Sequence, residues 1–290
     1  MASDHGPVVQ SARLRNELIQ LRKDRVLTQQ QVAEAMEWST SKIIRVEGGA
    51  SSITKVDLDA LLTMYHVTSG SQRERLHALN RGAREAGWWS RYKDDLSPDY
   101  LNYVGYEAGA AFIRQFLMGG IPGLLQTAEY AEAITRVGPI DRQKVESAAR
   151  FRLRRQEELR QRSNPPRQYF VLDEAAIRRH IGIKTDRTIM PNQLRHVANQ
   201  AERDPVVTVR VIPFDAGAHP GLIAPFTLLE FEAGLPDILF LDADQPDSTM
   251  IVGGDPRVAE HAVNFQTLLE LALPDQESIK LIRSAAEEMS

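Results

Sequence analysis

The apolar residues of this chain fall at two different spacings, and the change between them divides it. From residue 10 to about 85 they recur every three or four positions, the period of one helical face. Leu14, Leu18 and Leu21 mark a first helix over 10–25, with Arg13, Arg15, Arg22 and Lys23 around it, after a loose tail over 1–9. Thr28 caps a second helix, with Gln31 at the reciprocal capping-box spacing and Val32, Ala33 and Met36 on the buried side. Ser39 starts a third. Thr54 starts a fourth, whose Val56, Leu58, Leu61, Leu62 and Tyr65 close a small core. A connecting helix over 73–85 completes the set.

Beyond residue 106 the pattern changes character. FIRQFL (112–117) reads as a short strand, Gly119-Gly120 and Pro122-Gly123 force a break, and Thr127 caps a helix holding Tyr130. Ile121, Leu124 and Leu125 around that break are core residues. A long charged helix over 141–162 is stopped by Asn164-Pro165-Pro166; its basic face suits a dimer helix, a partner surface or a solvated cover. QYFVLD (168–173), VTVRVIPF (207–214), FTLLEF (226–231) and DILFLD (237–242) read as strands, and 174–180, 191–202, 256–272 and 275–288 as helices. The fold class is therefore a mainly α N-terminal domain plus an α+β C-terminal domain, a small mixed sheet covered by helices. The boundaries expected are 1–70 for the first domain, 71–106 for a connecting helix and aromatic hinge, and 107–290 for the second. In the hinge, Trp88, Trp89, Tyr92, Tyr100, Tyr103 and Tyr106 crowd together among Gly, Ser, Pro and Asp, which argues against one regular helix. They either pack the hinge onto the second domain or wall a pocket.

The segment from Thr28 to Gly49 carries the clearest chemistry. On its second helix Ile43 and Val46 point inward, while Thr40, Ser41, Ile44 and Arg45, at spacings of one and four, share the opposite face. Hydroxyls, a guanidinium and an apolar tip on one exposed face suit the major groove of DNA, where short polar residues reach base edges and arginine reads guanine or holds the backbone. Gln29 and Gln30 in the preceding first turn are placed to bond a phosphate, and Lys42 to add a charge contact. Ile44 is unusual there: an exposed isoleucine gains most against a thymine methyl or a dimer neighbour.

The 290 residues are enough for two domains, and no cysteine is present for a disulfide, a thiol nucleophile or a thiolate metal site. The N-terminus lacks the pattern of a secretory signal and no run of about 18 apolar residues occurs, so the expectation is a cytoplasmic protein. The formal net charge of −4 is awkward for binding DNA, but its distribution changes the picture. Residues 1–70 carry 8 basic and 8 acidic side chains, 71–168 carry 17 and 12, and 169–290 carry 10 and 19. The acidic last part is expected to face away from DNA, and a neutral reading domain needs two copies to bind tightly.

The segment 11–66, with LRKDRVLTQQQVAEAMEWSTSKIIRVEGG at its heart, resembles the helix-turn-helix domain of the lambda-repressor-like xenobiotic-response-element (XRE) family of bacterial transcription regulators. The resemblance places DNA-facing positions on Gln29, Thr40, Ser41, Ile44 and Arg45, a helix-packing alanine on Ala33 and a structural acid on Glu47. Glu37 stands where relatives usually have glycine, which implies backbone strain or a different turn. Gly49 to Ser52 replaces a loop that is often basic. The run from GWW through IPGLLQTAEYA, VLDEAAIRRHIG, FTLLEF and PDILFLD to ESIKLIRSAAEE resembles the effector domain that follows this helix-turn-helix in actinobacterial antitoxin-like regulators. That resemblance implies a second domain that binds a small partner protein, often encoded nearby, or a small-molecule signal.

Enzyme chemistry finds little footing. The seven histidines show no metal-site spacing, GGIPG and VGGDP lack the lysine of a phosphate loop, and there is no nucleophile elbow. Asp242, Asp244 and Asp247 read as a solvated turn. No cofactor, metal or membrane is expected. A partner or ligand pocket, if built, draws on Trp88, Trp89, Tyr92, Leu125, Tyr130 and His219, the last in a loop expected to be exposed. Two functions follow: a dimeric regulator reading an operator of two half-sites about one helical turn apart, or an antitoxin that sequesters a small partner and binds DNA for autoregulation alone.

Overall fold

The computed structural model describes residues 6–137, 142–232, 235–241 and 249–290. The chain divides into two compact units, Met1–Ser90 with Glu232–Leu235 and Arg91–Phe231 with Pro236–Ser290.

The first unit consists of α1 (Pro7–Asp24), α2 (Gln29–Ala35), α3 (Thr40–Gly48), α4 (Lys55–Met64) and α5 (Gly70–Gly82). Its helix starts follow from side-chain oxygens that satisfy orphan backbone N–H groups. Thr28 Oγ1 accepts from the Gln31 N–H while Gln31 Oε1 accepts from the Thr28 N–H, a closed capping box. Ser39, Thr54 and Ser69 cap α3, α4 and α5 in the same way. Residues 7–9 of the stretch expected as a loose tail over 1–9 are helical. Pro7, whose fixed φ suits the first helical position, opens α1, and Val9 is fully buried.

Leu14, Leu18, Val32, Ala33, Ile43, Val46, Leu58, Leu61, Leu62, Tyr65 and Leu76 form one core. Leu76 lies on α5, so the helix expected as a connector is part of this core and packs along α1. Val56, expected to face inward, is 78% exposed. It precedes Leu58 by two positions, which on a helix is more than half a turn from the face that Leu58, Leu61 and Leu62 bury. Three helices end in a Schellman motif with a residue other than glycine in the left-handed region. These are Val26 (φ 55°), Glu37 (φ 53°) and His66 (φ 53°), each followed by a residue whose N–H reaches back to Arg22, Ala33 or Leu62.

A 3-10 turn (Trp88–Tyr92) follows α5. The second unit holds α6 (Pro98–Glu107), β1 (Phe112–Leu117), α7 (Ala128–Thr135), α8 (Arg142–Arg160), β2 (Arg167–Asp173), α9 (Glu174–Arg178) and α10 (Ile189–Arg203). It continues with β3 (Val207–Ile212), β4 (Phe226–Glu230), β5 (Ile238–Leu241), β6 (Thr249–Val252), α11 (Pro256–Leu271) and α12 (Asp275–Glu288). The six strands run in the order β3-β2-β1-β4-β5-β6. β1, β2 and β3 are parallel, joined by helical crossovers, and β4, β5 and β6 add an antiparallel meander. Phe116, Val171, Phe226, Leu228 and Leu239 pack with Phe265 and Leu268 of α11 on one face. Phe170 and Leu172, which alternate with Val171, are also buried, so the sheet is covered on both sides.

In the aromatic stretch the punctuation starts a helix as well as breaking one: Ser97 caps α6 and Pro98 occupies its first turn. The α6 side chains then join a buried ion pair. Arg155 of α8 clamps Glu107 of α6 through Nε and Nη2, and Tyr103 Oη donates to Glu107 Oε1 at 2.9 Å. The two charged side chains are 6% and 1% exposed. Burial and the neighbouring carboxylate hold the Tyr103 phenol well above its ordinary range.

Candidate nucleic-acid interface

The local sequence sets α3 across the end of α2, and one carboxylate holds that geometry. Glu47, on the buried side of α3, accepts from Arg22 Nε at 2.7 Å, from Arg22 Nη2 at 3.0 Å and from Gln29 Nε2 at 2.8 Å. The third guanidinium nitrogen, Arg22 Nη1, donates to the Leu27 carbonyl at 2.8 Å. One acid thus ties α1, the start of α2 and the end of α3 together, with its charge satisfied by charge-assisted bonds. The hydrogen bond with Glu47 raises the Arg22 pKa. Burial likewise raises the pKa of Tyr65, whose hydroxyl lies beneath this cluster without a hydrogen-bond partner among the described residues.

With Ile43 and Val46 at 1% and 4% exposure, α3 turns its other face outward. Thr40, Ser41, Ile44 and Arg45 are all exposed on it. The remaining residues expected at a DNA surface have internal partners. Lys42 Nζ meets Asp57 Oδ2 at 3.1 Å and sits 3.8 Å over the Trp38 ring, so its charge is directed inward. Gln30 Nε2 donates to Glu34 Oε1 one turn along α2, an exposed pair that solvent or a phosphate can replace. Gln29 keeps one N–H outside its bond to Glu47. At the far end of α3, Gly49 takes φ 81° as the helix cap, and a Cβ there would fall 1.5 Å from Arg15 Nη1. The left-handed φ is what favours glycine at position 49, since the flexible Arg15 tip can move aside for a Cβ.

Sequence reasoning singled out Glu47 but not its partner. Arg22 is 25 residues away on another helix, and only the folded unit brings the two together.

Of the six residues expected to wall a pocket, Trp88 and Trp89 belong to the first unit and Tyr92, Leu125, Tyr130 and His219 to the second. Trp88 and Trp89 pack edge to face at 5.8 Å in the 3-10 turn, and Trp89 is buried. In the second unit Tyr92 packs edge-on against Phe151. Leu125 and Tyr130 are core residues: the Ile121 N–H donates to Tyr130 Oη at 3.1 Å, and burial raises the Tyr130 pKa. The surrounding IPGLLQT segment is pinned by two glutamines, the buried Gln193 donating to the Leu125 carbonyl and the half-buried Gln156 to those of Gly123 and Gln126. His219 is not exposed as expected but 8% accessible. Its Nε2 lies 3.1 Å from Asp173 Oδ2 and its ring packs edge-on to Phe116, because the loop after β3 folds back over the ends of β1 and β2. None of the six lines the cleft of about 630 Å³ beside His180, Arg187 and Arg195, nor that of about 580 Å³ beside Tyr169, Arg210 and Asp275. Asp242, Asp244 and Asp247 lie outside the described residues.

Residues 13–76 match the family model of a helix-turn-helix domain, and residues 100–284 match that of a domain of unknown function (DUF5753). No curated protein and no solved structure matches the chain. No helix among the described residues is long and apolar enough to cross a membrane.

Proposed function

As the chain belongs to the family defined by that domain of unknown function (DUF5753) and carries a helix-turn-helix domain ahead of it, we propose that it is a sequence-specific transcription regulator. It binds operator DNA as a dimer, and a partner protein or signal held by the second unit sets its output; it is not an enzyme. The observation that carries this reading is the division of labour on α3. Thr40, Ser41, Ile44 and Arg45 face outward without side-chain bonds among the described residues, whereas Arg22, Gln29 and Lys42 are held by Glu47 and Asp57. A helix whose inner face is this firmly fixed presents its outer face to a groove at little further entropic cost.

The charge balance supports the dimer. With 8 basic and 8 acidic side chains in residues 1–70, one copy neutralises few phosphates, and two copies on one operator double that number. Control through the second unit is supported by its exposed apolar side chains between β3 and β4, where Phe214, Leu222 and Ile223 are 60%, 54% and 90% accessible.

The test is an operator selected from random duplex DNA with the full chain. Replacing Ser41 and Arg45 together by alanine should cost about 1–3 kcal/mol for each base that is no longer read, with an unchanged melting temperature. Undiminished binding by this variant would remove α3 from the interface. Footprints should show two half-sites about one helical turn apart; a single half-site with a monomeric mass in solution would remove the dimer.

A further inference from the structure

Resting on the DNA-binding reading and extending it to base chemistry, we infer that α3 reads a guanine through Arg45 and the methyl group of a thymine through Ile44 within one half-site. The outward residues form two rows at a spacing of four, Thr40 with Ile44 and Ser41 with Arg45. One row ends in an apolar tip and the other in a guanidinium.

The cation is identified by elimination among its neighbours. Arg22 spends its guanidinium on Glu47 and on the Leu27 carbonyl, and Lys42 spends its ammonium on Asp57 and the Trp38 ring. The Arg45 side chain has no hydrogen-bond or ion partner among the described residues and is exposed. Its planar fork is intact, and in the major groove that fork matches the O6 and N7 acceptors of guanine.

The apolar contact follows from Ile44 being unneeded by the core. Its neighbours on α3, Ile43 and Val46, fill the inside, while Ile44 is 49% exposed beside Thr40, Ser41 and Arg45. Those polar surroundings make a poor protein–protein contact, because no second apolar side chain on that face extends it. The apolar feature a major groove offers is the thymine methyl. Because residues 44 and 45 are adjacent, the two bases sit at neighbouring or next-neighbouring base pairs. Thr40 and Ser41 hydroxyls bond to any base and add no strict requirement.

The experiment uses the full chain and its selected operator, resynthesised with deoxyuridine for thymine at one position at a time, which deletes one methyl and leaves the protein untouched. Deoxyuridine at one position per half-site should weaken binding about four-fold, the worth of one buried methyl. Ile44→Ala should weaken binding at least as much and become indifferent to deoxyuridine at that position. Arg45→Ala should lose about 5- to 150-fold for each half-site and accept any base at the guanine position. Indifference of the unmodified protein to deoxyuridine throughout, or a methyl effect that survives Ile44→Ala, would overturn the thymine assignment while leaving a recurrent operator as evidence for DNA reading. An Arg45→Ala loss that is equal on all sequences would move Arg45 to the phosphates and overturn the guanine assignment. Failure to enrich any recurrent site would overturn the DNA-binding reading itself, and this inference with it.

Discussion

Val26 and Glu37 hold the left-handed backbone conformation that glycine takes without cost, and each does so at the close of a Schellman motif. In an L-residue that conformation brings Cβ against the following carbonyl, at roughly 1–2 kcal/mol per residue. Glycine relieves the clash but loses more chain entropy on folding, so the two effects partly cancel. Val26→Gly and Glu37→Gly should therefore each stabilise the first unit by about 0.5–1 kcal/mol, the valine more because its branched Cβ is the worse fit. Urea midpoints of the single variants measure this, and a lower midpoint would show that the turns are not strained. The Glu37 strain was legible in the sequence as a departure from a glycine-bearing turn. The strain at Val26 and His66 was not, because nothing in the surrounding composition marks either as a helix end.

Between elements, the Arg155–Glu107 pair is the joint of α6 and α8, and it is buried almost completely. Removing one partner strands a charge in the interior. Arg155→Met should cost about 3–5 kcal/mol, and adding Glu107→Leu should recover most of that, because a buried ion pair is worth little more than apolar residues that fill its volume. Thermal melts of the single and double variants distinguish this from a pair that stabilises in its own right. Between α4 and α5 the Asp59 carboxylate accepts from His77 Nε2 at 2.7 Å, and that hydrogen bond is the main cause of its pKa lying below the ordinary 3.8. A depressed carboxylate contributes stability that is fully present above its unfolded pKa and is lost as pH falls through the folded one. Asp59→Asn should thus lower the urea midpoint at neutral pH, and the gap to the parent protein should close below pH 3.8. A gap independent of pH would mean that the carboxylate charge is not what stabilises this joint.

For the whole molecule, the placement of Leu76 in the first core decides where the chain can be cut. A fragment ending at residue 70 lacks α5 and uncovers apolar surface of α1 and α4, whereas one ending at residue 90 keeps all five helices of the unit. The longer fragment should melt cooperatively and the shorter should not, as read by circular dichroism on heating; equal melts would make α5 a connector after all. What the sequence determined by itself was local. The capping box at Thr28, the caps at Ser39, Thr54 and Thr127, the inward Ile43 and Val46, the outward Thr40, Ser41, Ile44 and Arg45, and the α+β character of the second unit all depend on residues within a turn or two of one another. What the tertiary structure decided was every pairing across distance. It joined Arg22 to Glu47 over 25 residues and Asp173 to His219 over 46, brought α5 into the first core, and added the short strand β6 to the sheet. Periodicity records which side of an element is apolar, but only the packing of elements fixes which polar groups lose their water and must find partners in one another.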